Sequence, residues 1–561
     1  MGYTRDPVKA PKVGGPALRA FVGALESALG PLLLKKLVTD SGIERFRTTS
    51  AGTASPIQVP LPLGPEPKEA ASPTALAARA IDTPPSAATS RLESARAFRD
   101  AYRSGATDPA RAVRRLHEAI SRLEGGDERM NFFISRKPEQ VLAEAEASTE
   151  RWRAGTPRSV LDGVPVVLKD EVDLEGFVTT LGTKFRSEVA TRDSAVAARL
   201  KAAGALILGK ANMNEIGINP IGLNPHHGPA RNPWDRTRIT GGSSSASAAA
   251  VAAGLCPISI GADGGGSIRI PAALCGVVGL KATFGRISEA GVPPLCWNVG
   301  HVGPLGRTVD DVAAAYALVA GPDEHDPVSL RQPPLHLTDY EKGALTGLRV
   351  GLCRPWFDDA EPDVVARCRE AVKVLTDAGA TVVELPPPDL NLVLWSHAVI
   401  ILSEMREAMH DEVLLDSARF ALDSRTNLAI GGHFSARDYV HAMRHRQKLT
   451  REWLELMKTC DVVATPTTAC TAPPIPEATL PDGESNLPVV DQLMRFIRIG
   501  NLTGFPALSL PVGLDRSNLP VGLQLMGRPY EEHLLLRLGR VIESALPAAP
   551  LPRVHVTALG S

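Results

Sequence analysis

Residues 241–288 read GGSSSASAAAVAAGLCPISIGADGGGSIRIPAALCGVVGLKATFGRIS, a segment rich in both glycine and serine. Its large apolar residues, which flexible glycine–serine linkers lack, include Leu255, Ile258, Ile260, Ile268, Ile270, Val277, Val278 and Leu280. This composition predicts a buried segment, in which serine hydroxyls need hydrogen-bond partners. Consecutive glycines let backbone N–H groups approach a ligand closely. A buried serine beside free N–H groups is the arrangement that acyl-transfer chemistry requires.

The composition of the whole chain is typical of a globular protein. The 561 residues are 44% hydrophobic and 22% charged, and the length alone does not fix the number of domains. A net charge of −1 implies no overall attraction to nucleic acid. The seven cysteines are scattered and form no C-x-x-C pair, so neither a disulfide framework nor a zinc site is predicted. We expect a reducing, cytoplasmic location.

The N-terminal region differs in pattern from the rest of the chain. Residues 17–38 place apolar side chains on one helical face, namely Leu18, Phe21, Val22, Leu25 and Leu29. Charged residues, Gly30 and Pro31 interrupt this stretch, so it is too polar for a membrane-spanning helix. Two interpretations stay open: an amphipathic helix that touches a membrane surface peripherally, or a helix packed on the protein body or on a second subunit.

A proline-rich stretch follows this helix. Residues 52–86 contain eight prolines and predict an extended connector. We therefore divide the chain into an N-terminal region, residues 1–89, with an amphipathic helix and a connector, and a catalytic domain, residues 90–561.

Residues 90–561 alternate between strand and helix patterns. VPVVLKD predicts a strand that ends at Lys169, and GLRVGLC, DVVARCREAVKVLTDAGA and TVVEL predict strand, helix and strand. PALSLPVGLDRSNLPVGLQLMG predicts two strands across a turn, before a helix at residues 531–545. The stretch 243–254 predicts a helix that begins on capping serines. Together these patterns predict an α/β fold with a mixed sheet.

Three motifs resemble the amidase signature family: GGSSSAS, GADGGGSIRIPAALCGVVGLK and the upstream VPVVLKD. KANMNEIG, RNPWD, HVGPLGRTVDD, ATPTTACTAPPIP, LMRFIRIGNLTGFPALSLPVG and LPVGLQLMGRP resemble the plant-type fatty acid amide hydrolases within that family. The resemblance covers about residues 90–545. It implies the amidase signature fold, with a central mixed β-sheet flanked by helices and an N-terminal helical extension.

The resemblance also implies the catalytic residues. The family's nucleophile falls on Ser267, its bridging serine on Ser243 and its lysine on Lys169. The family's oxyanion donors fall on the backbone N–H groups of Gly264, Gly265, Gly266 and Ser267. Gly217 falls where the family's acyl-binding wall approaches the nucleophile, and the family's cis peptide bond falls on Gly242–Ser243. Family members work through an acyl-enzyme without a metal, so we expect no metal and no cofactor.

Physical chemistry supports these roles. An amide is a poor electrophile with a poor leaving group, so the nucleophile must lose a proton and the amine must gain one. Lysine acts as a base only when neutral, and the end of the apolar strand before Lys169 predicts a dry site away from compensating acids. Ser243 would pass the proton between Lys169 and Ser267. Asp263 and Arg269, which flank the nucleophile, are expected to orient the loop through hydrogen bonds.

Each element also has a simpler interpretation when it is taken alone. Lys169 could be a solvated strand end, the serines at 243–245 a helix cap, and the glycines at 264–266 a turn. His441 and His445 are spaced as in metal-binding helices, but HAMRH lacks the glutamate of H-E-x-x-H and Arg444 would repel a cation. No phosphate-binding or dinucleotide-binding glycine motif is present in the sequence.

The resemblance fixes the chemistry but not the substrate, because a fold does not determine a substrate. The plant-type resemblance favours fatty acid amides such as N-acylethanolamines. Small or aryl amides, or a role as the amidase subunit of a tRNA-dependent amidotransferase, are the alternatives. The apolar run LVLWSHAVIILSEM, within residues 392–445, could line an acyl channel or belong to the core. Since lipid-amide relatives commonly form dimers, we expect a homodimer, with membrane contact through residues 17–38 as a further possibility.

Overall fold

The computed structural model describes residues 3, 5–6, 12–58, 60–64, 66–67, 71–86, 89, 92–126 and 129–560. Ser90, at which the predicted catalytic domain begins, lies outside these residues. The strands are β1 (Val13–Gly14), β2 (Phe133–Ser135), β3 (Pro165–Lys169), β4 (Leu206–Ala211), β5 (Ile258–Ala262), β6 (Val278–Lys281), β7 (Val302–Gly306), β8 (Arg349–Leu352), β9 (Thr381–Glu384), β10 (Val462–Pro466), β11 (Glu484–Ser485), β12 (Ala507–Leu514) and β13 (Pro520–Gly527).

The first ten α-helices are α1 (Pro16–Leu25), α2 (Gly30–Asp40), α3 (Ile43–Thr48), α4 (Pro73–Asp82), α5 (Ala95–Ser104), α6 (Pro109–Leu123), α7 (Pro138–Arg153), α8 (Ala195–Ala202), α9 (Ser245–Ala252) and α10 (Arg269–Cys275). The next ten are α11 (Val309–Val319), α12 (Arg354–Phe357), α13 (Pro362–Asp377), α14 (Leu390–Ala408), α15 (His410–Asp416), α16 (Leu422–Gly431), α17 (Ala436–Leu456), α18 (Leu487–Met494), α19 (Arg498–Thr503) and α20 (Glu532–Ala545). Short 3₁₀ turns lie at Glu215–Gly217, Pro327–Ser329, Ser417–Arg419 and Glu477–Thr479.

Eleven strands form one mixed sheet, which confirms the predicted α/β fold. Their order is β2-β4-β3-β5-β7-β6-β12-β13-β10-β8-β9. Strand β3 pairs in parallel with both β4 and β5, whereas β5 and β7 are antiparallel. All five residues of β3 are buried, as expected for a central strand covered on both faces. Because β3 and β5 are parallel neighbours, the segments that follow them, beginning at residues 170 and 263, leave the sheet at the same edge.

Helix α9 lies beside this edge, but its serines do not cap it as predicted. The helix begins at Ser245, and the side chain of its N-cap residue, Ser244, makes no capping hydrogen bond. The hydroxyl of Ser244 instead donates to the carbonyl oxygen of Ala262 at 3.1 Å. Ser247 likewise donates to the carbonyl oxygen of Ile260 at 3.3 Å. The serine cluster therefore fastens the helix to β5, because these hydroxyls are buried and the strand supplies acceptors.

The segment at residues 17–38 is two helices and not the single helix that its periodicity predicted. Helices α1 and α2 meet at an angle of 109°. A side chain at Gly30 would collide with the carbonyl of Leu25, so glycine is required at this break. Leu18, Val22 and Leu25 of α1 are buried, and α1 packs against α16 of the same chain. In the described part of the chain, no single helix is long and apolar enough to cross a membrane; only this bent pair has sufficient length and composition.

The proline-rich region is not simply an extended connector. Its residues 73–82 form α4, which starts with Pro73 in the first turn and with Ser72 as a capping residue. Leu76, Ala77 and Ile81 of this helix are almost fully buried and belong to the main hydrophobic core. Helix α4 packs against α11, so one core includes residues on both sides of the predicted 89/90 boundary. The number of prolines predicted an extended chain here, but a proline does not exclude a helix when it stands at the first helical position, as Pro73 does.

Candidate active site

Lys169 is the last residue of β3, and its side chain is only 1% exposed. Its Nζ donates a hydrogen bond of 2.9 Å to Oγ of Ser243. The peptide bond Gly242–Ser243 is cis, as the family resemblance implied. A side chain at Gly242 would lie 2.7 Å from the Cα of Gly222, so the two backbone segments approach too closely for any residue but glycine. The sheet and this loop thus bring Lys169 and Ser243 together from positions 74 residues apart in the chain.

Ser267 follows the glycine loop after β5 and is 7% exposed. The carboxylate of Asp263 holds this loop: it accepts hydrogen bonds from the N–H of Gly266 at 2.6 Å and of Ile268 at 3.2 Å. Arg269 donates to the same carboxylate at 3.0 Å. The positive charge of Arg269 contributes to a strong lowering of the pKa of Asp263, against the effect of burial. These contacts confirm that Asp263 and Arg269 orient the loop that contains Ser267 through hydrogen bonds.

The N–H groups of the glycine loop are not equivalent. The N–H of Gly266 is occupied by Asp263, which corrects the prediction that this group is available to an oxyanion. Among the described residues, the N–H groups of Gly264, Gly265 and Ser267 have no protein acceptor. Three N–H groups around one buried serine suit the charge that develops on a carbonyl oxygen during acyl transfer.

The loop that contains Ser243 and the loop that contains Ser267 are connected through the backbone. The N–H of Ser244 donates to the carbonyl oxygen of Ser267 at 3.3 Å, which keeps the two serine loops in contact. Among the described residues, no hydrogen bond joins the hydroxyls of Ser243 and Ser267.

His397 is a residue that the sequence analysis missed. It lies on α14, and its Nε2 is 2.9 Å from the carbonyl oxygen of Gly264. Burial lowers the pKa of His397 to about 4, so the ring is neutral at neutral pH and donates its Nε2–H to this carbonyl. A histidine inside the apolar run LVLWSHAVIIL was a signal, because a buried polar group requires a partner.

Asn501 on α19 and Gln524 on β13 were also missed. The side-chain amide of Asn501 donates to the carbonyl and carboxylate oxygens of Asp263, both at 2.9 Å. Gln524 accepts from Arg269 at 2.7 Å. Each partner is more than 200 residues away in the chain, so no local pattern could have paired them.

The surroundings of Lys169 contradict one expectation. The sequence predicted a dry site away from compensating acids, and the site is buried, but Oε2 of Glu171 lies 2.5 Å from Nζ of Lys169. Only 10% of the Glu171 side chain is exposed. After β3 ends, the N–H of Val172 donates to the carbonyl of Lys169 at 3.0 Å, and this turn brings residue 171 back against the lysine.

Gly217 lies beside Ser243 in a 3₁₀ turn with φ of +69°, a conformation that favours glycine. A side chain there would lie 3.2 Å from Oγ of Ser243 and 3.6 Å from Leu295. Gly217 thus faces the bridging serine, and a larger residue would crowd it.

Side chains from other elements approach the glycine loop, and two of them are apolar. A Cβ atom placed on Gly264 would lie 3.3 Å from the side chain of Ile401 on α14. A Cβ atom placed on Gly265 would lie 2.9 Å from the side chain of Met494 on α18. The run predicted to line a channel or to belong to the core therefore contributes buried core residues through α14, and Ile401 also reaches the glycine loop. An acyl channel along this run stays a prediction.

The histidines considered as metal ligands lie elsewhere. His441 contacts the carbonyl oxygen of Phe46 on α3 through its Nε2 atom. The Nε2 atoms of His441 and His445 are 3.0 Å apart. In the described residues, no group of three or more histidine, cysteine or acidic side chains is arranged to hold a metal ion.

Comparisons with known proteins agree with the sequence resemblance. The family model described as Amidase matches residues 114–536. The fatty acid amide hydrolase of Arabidopsis thaliana is 37% identical over 590 aligned residues, which cover 100% of this chain and 97% of that protein. A glutamyl-tRNA(Gln) amidotransferase subunit of Anaeromyxobacter sp. (strain K) is 35% identical, and the alignment covers 78% of this chain and 93% of that protein.

Solved structures share the fold. A chain from an inhibitor-bound complex, described as a vestigial protein complex that reveals the origins of an s-triazine catabolic enzyme, superposes with a TM-score of 0.75. It is 31% identical and covers 82% of this chain and 100% of its own. The chain therefore belongs to the amidase signature family and is a serine amidohydrolase that acts on carbon–nitrogen amide bonds.

Proposed function

We propose that this amidase cleaves fatty acid amides, such as N-acylethanolamine-like lipids, into a fatty acid and an amine. The observation that carries the proposal is the full-length similarity to a plant fatty acid amide hydrolase, whose alignment covers 100% of this chain, whereas the amidotransferase alignment covers 78%. The apolar side chains of Ile401 and Met494 beside the glycine loop support an acyl chain as the group bound there.

The proposed reaction uses Ser267, Ser243 and Lys169. The hydroxyl oxygen of Ser267 attacks the amide carbonyl carbon, while its proton passes to Ser243 and the proton of Ser243 passes to the neutral amine of Lys169. The electron pair of the C=O bond moves to oxygen, next to the N–H groups of Gly264, Gly265 and Ser267. Lys169 then returns the proton through Ser243 to the nitrogen, and the C–N bond breaks to release the amine and leave an acyl-Ser267. Water completes hydrolysis by the reverse proton path.

The neighbouring groups suit these roles. Lys169 already donates to Ser243, which supports proton transfer between them. The hydrogen bond from His397 to the Gly264 carbonyl supports a fixed orientation of the peptide that precedes the N–H of Gly265. Preorganised donors of this kind need no rearrangement as charge develops on the substrate oxygen.

A role within a tRNA-dependent amidotransferase is the second candidate function. The similarity to the Anaeromyxobacter amidotransferase protein favours this role, but the alignment with that protein covers only 78% of this chain. The N-terminal helix α4 is part of the main core here, which fits better with the full-length fatty acid amide hydrolase match. Stable co-purification with a tRNA-binding partner would favour this second candidate.

We also propose a homodimer and peripheral contact with a lipid surface for the N-terminal region. Four leucines near the N-terminal helices are largely exposed: Leu29, Leu32, Leu414 and Leu415. The ion pair of Glu26 with Arg425 brings the end of α1 next to α16. Helix α16 follows shortly after Leu414 and Leu415 in the sequence. Exposed apolar groups of this kind are favourable at a lipid or protein interface. We also propose that the protein is cytoplasmic.

An acyl-length series tests the substrate. We expect kcat/KM for saturated N-acylethanolamines to rise about fourfold per methylene and then to level off, since each buried CH₂ contributes about 0.8 kcal/mol. Primary amides of the same chain lengths are the control for the headgroup. A flat or falling series, with acetamide-like or aryl amides preferred, would assign the enzyme to small amides and reject the lipid proposal.

A further inference from the structure

The carboxylate of Glu171 is the nearest charged group to the amine of Lys169. Its Oε2 lies 2.5 Å from Nζ, while the same Nζ donates to Ser243 at 2.9 Å. Oε2 of Glu171 is buried and has no hydrogen-bond donor among the described residues apart from this contact with the lysine. The proposed base thus lies between a serine hydroxyl and a buried carboxylate.

Asp170, which lies between the two residues in sequence, does not share this role. Its carboxylate accepts hydrogen bonds from Thr180 and lies 3.2 Å from Nζ of Lys210. Burial lowers the pKa of Lys210, and the charge of Asp170 opposes this effect. Asp170 therefore has a buried cation of its own, on β4, and Glu171 alone of these two acids contacts Lys169.

Two further titratable groups face Glu171 from the loop between β6 and β7. Burial raises the pKa of Glu289 to about 8, and the negative charges of Asp326 and Glu171 add to this. Burial also raises the pKa of the Cys296 thiol, with further contributions from Glu404, Glu289 and Glu171. At neutral pH both Glu289 and Cys296 are therefore uncharged, so neither adds a negative charge beside the contact of Glu171 with Lys169.

We infer that Glu171 is a positioning residue that sets the pH at which Lys169 becomes the neutral base. This inference rests on the assignment of Lys169 as the base in the proposed function. An opposite charge in direct contact favours the charged form of a titratable group. Glu171 thereby favours the ammonium form of Lys169, so a higher pH is needed before the lysine can accept a proton.

The same contact assists the reaction once it has begun. When Ser267 forms its bond to the carbonyl carbon, one proton reaches Lys169 through Ser243, and the resulting ammonium lies against the carboxylate. Glu171 gains no proton and forms no bond in this step; it stabilises the positive charge that appears on the lysine. Removing the charge should therefore make the lysine active at lower pH but make it a weaker base, with a lower maximum rate.

The test measures how fast a fluorophosphonate probe labels Ser267 as a function of pH. In this reaction the oxygen of Ser267 bonds to phosphorus, fluoride leaves, and the serine proton passes to Lys169, so no knowledge of the natural substrate is needed. For Glu171→Gln, which keeps the shape and an acceptor oxygen, we expect the acidic limb of the profile to move to lower pH by about 1–3 units. Glu171→Asp keeps the negative charge but moves it away from Lys169 by the length of one methylene. The acidic limb of its pH profile should therefore lie between those of the unmodified protein and Glu171→Gln.

Glu289→Gln is the matched control. It removes a neighbouring carboxyl group that does not contact Lys169 and that holds its proton up to about pH 8, so the acidic limb should not move. An unmoved limb in Glu171→Gln, or a rate that falls equally at every pH, would overturn the inference. Unimpaired labelling in Lys169→Ala would instead reject the lysine as the base, and with it the proposed function, whatever Glu171 does.

Discussion

Asp263 shows how a single buried carboxylate organises the candidate site. It receives two backbone N–H groups of the nucleophile loop, the guanidinium of Arg269 and the amide of Asn501. Charge-assisted bonds of this kind fix geometry more firmly than neutral ones. Because the N–H of Gly266 donates to Asp263, this N–H is not available to a substrate oxygen. The N–H groups of the neighbouring residues Gly265 and Ser267 remain as donors.

Replacing Lys169 with alanine tests its second role, as the acid that protonates the leaving amine. We expect hydrolysis of an amide to fall more than that of the matched ester, by about 100-fold or more, because an alkoxide leaves with less help than an amine anion. Parallel kcat/KM measurements on the two substrates give the ratio. Ser267→Ala is the control and should lose both activities, and equal losses on both substrates in Lys169→Ala would contradict the acid role.

Among the elements, the bent pair of α1 and α2 has two different faces. Leu18 and Val22 of α1 are buried against the body of the protein, whereas Leu29 and Leu32, at and just after the break, are 60% and 68% exposed. A straight helix would have placed all of these on one continuous face. The break at Gly30 and Pro31 separates a packing face from an exposed one, which is the arrangement that a surface-binding element needs.

The double substitution Leu29→Gln with Leu32→Gln should weaken binding to vesicles of phosphatidylcholine and phosphatidylserine. Each leucine that enters the lipid surface contributes up to about 1.5–3 kcal/mol, so we expect a loss of about tenfold or more in a co-sedimentation assay. Leu330→Gln, an exposed leucine away from these helices, is the control and should bind as the unmodified chain does.

Light scattering on the same variants examines the expected homodimer. A dimer that dissociates when Leu29 and Leu32 are changed would assign these leucines to a second copy of the chain. A monomer that also fails to bind vesicles would remove the support for both proposed partners.

In the whole molecule, the N-terminal region is built into the main core. Helix α4 packs against α11, β1 pairs with β11, and the N–H groups of Ala558 and Leu559 donate to Glu93 near the start of the α/β region. Strands β3 and β5, which lead into the candidate site, lie in the same eleven-stranded sheet, and their hydrophobic residues share a cluster with those of α4. The stability of the active-site framework therefore depends in part on residues before position 90.

Leu76→Ala should destabilise the protein as a core substitution does, although it lies in the proline-rich stretch. The side chain is 2% exposed, and a large-to-small change at a buried leucine costs about 2–5 kcal/mol. The melting temperature at a fixed scan rate is the measurement. Leu32→Ala makes the same chemical change at an exposed leucine and should have little effect, and equal melting temperatures for the two variants would show that α4 is not part of the core.

The sequence alone was sufficient for the family, the mixed α/β fold and the close packing of the glycine and serine loops around Ser267. These features depend on short-range patterns: strand and helix periodicity, and the glycines and serines of residues 241–288 that must lie close to other backbone segments. The family resemblance also implied that Lys169 and Ser243 lie near each other, which the hydrogen bond between them bears out.

Only the tertiary structure decided the contacts that tune the site. The turn after β3 that folds Glu171 back on Lys169, the approach of His397 from α14, and the capture of the Gly266 N–H by Asp263 all depend on side-chain directions and on elements far apart in the chain. The break between α1 and α2 and the burial of α4 likewise depend on what each surface packs against. Local sequence sets periodicity, but the partner of a buried charge is chosen by the packing of the whole chain.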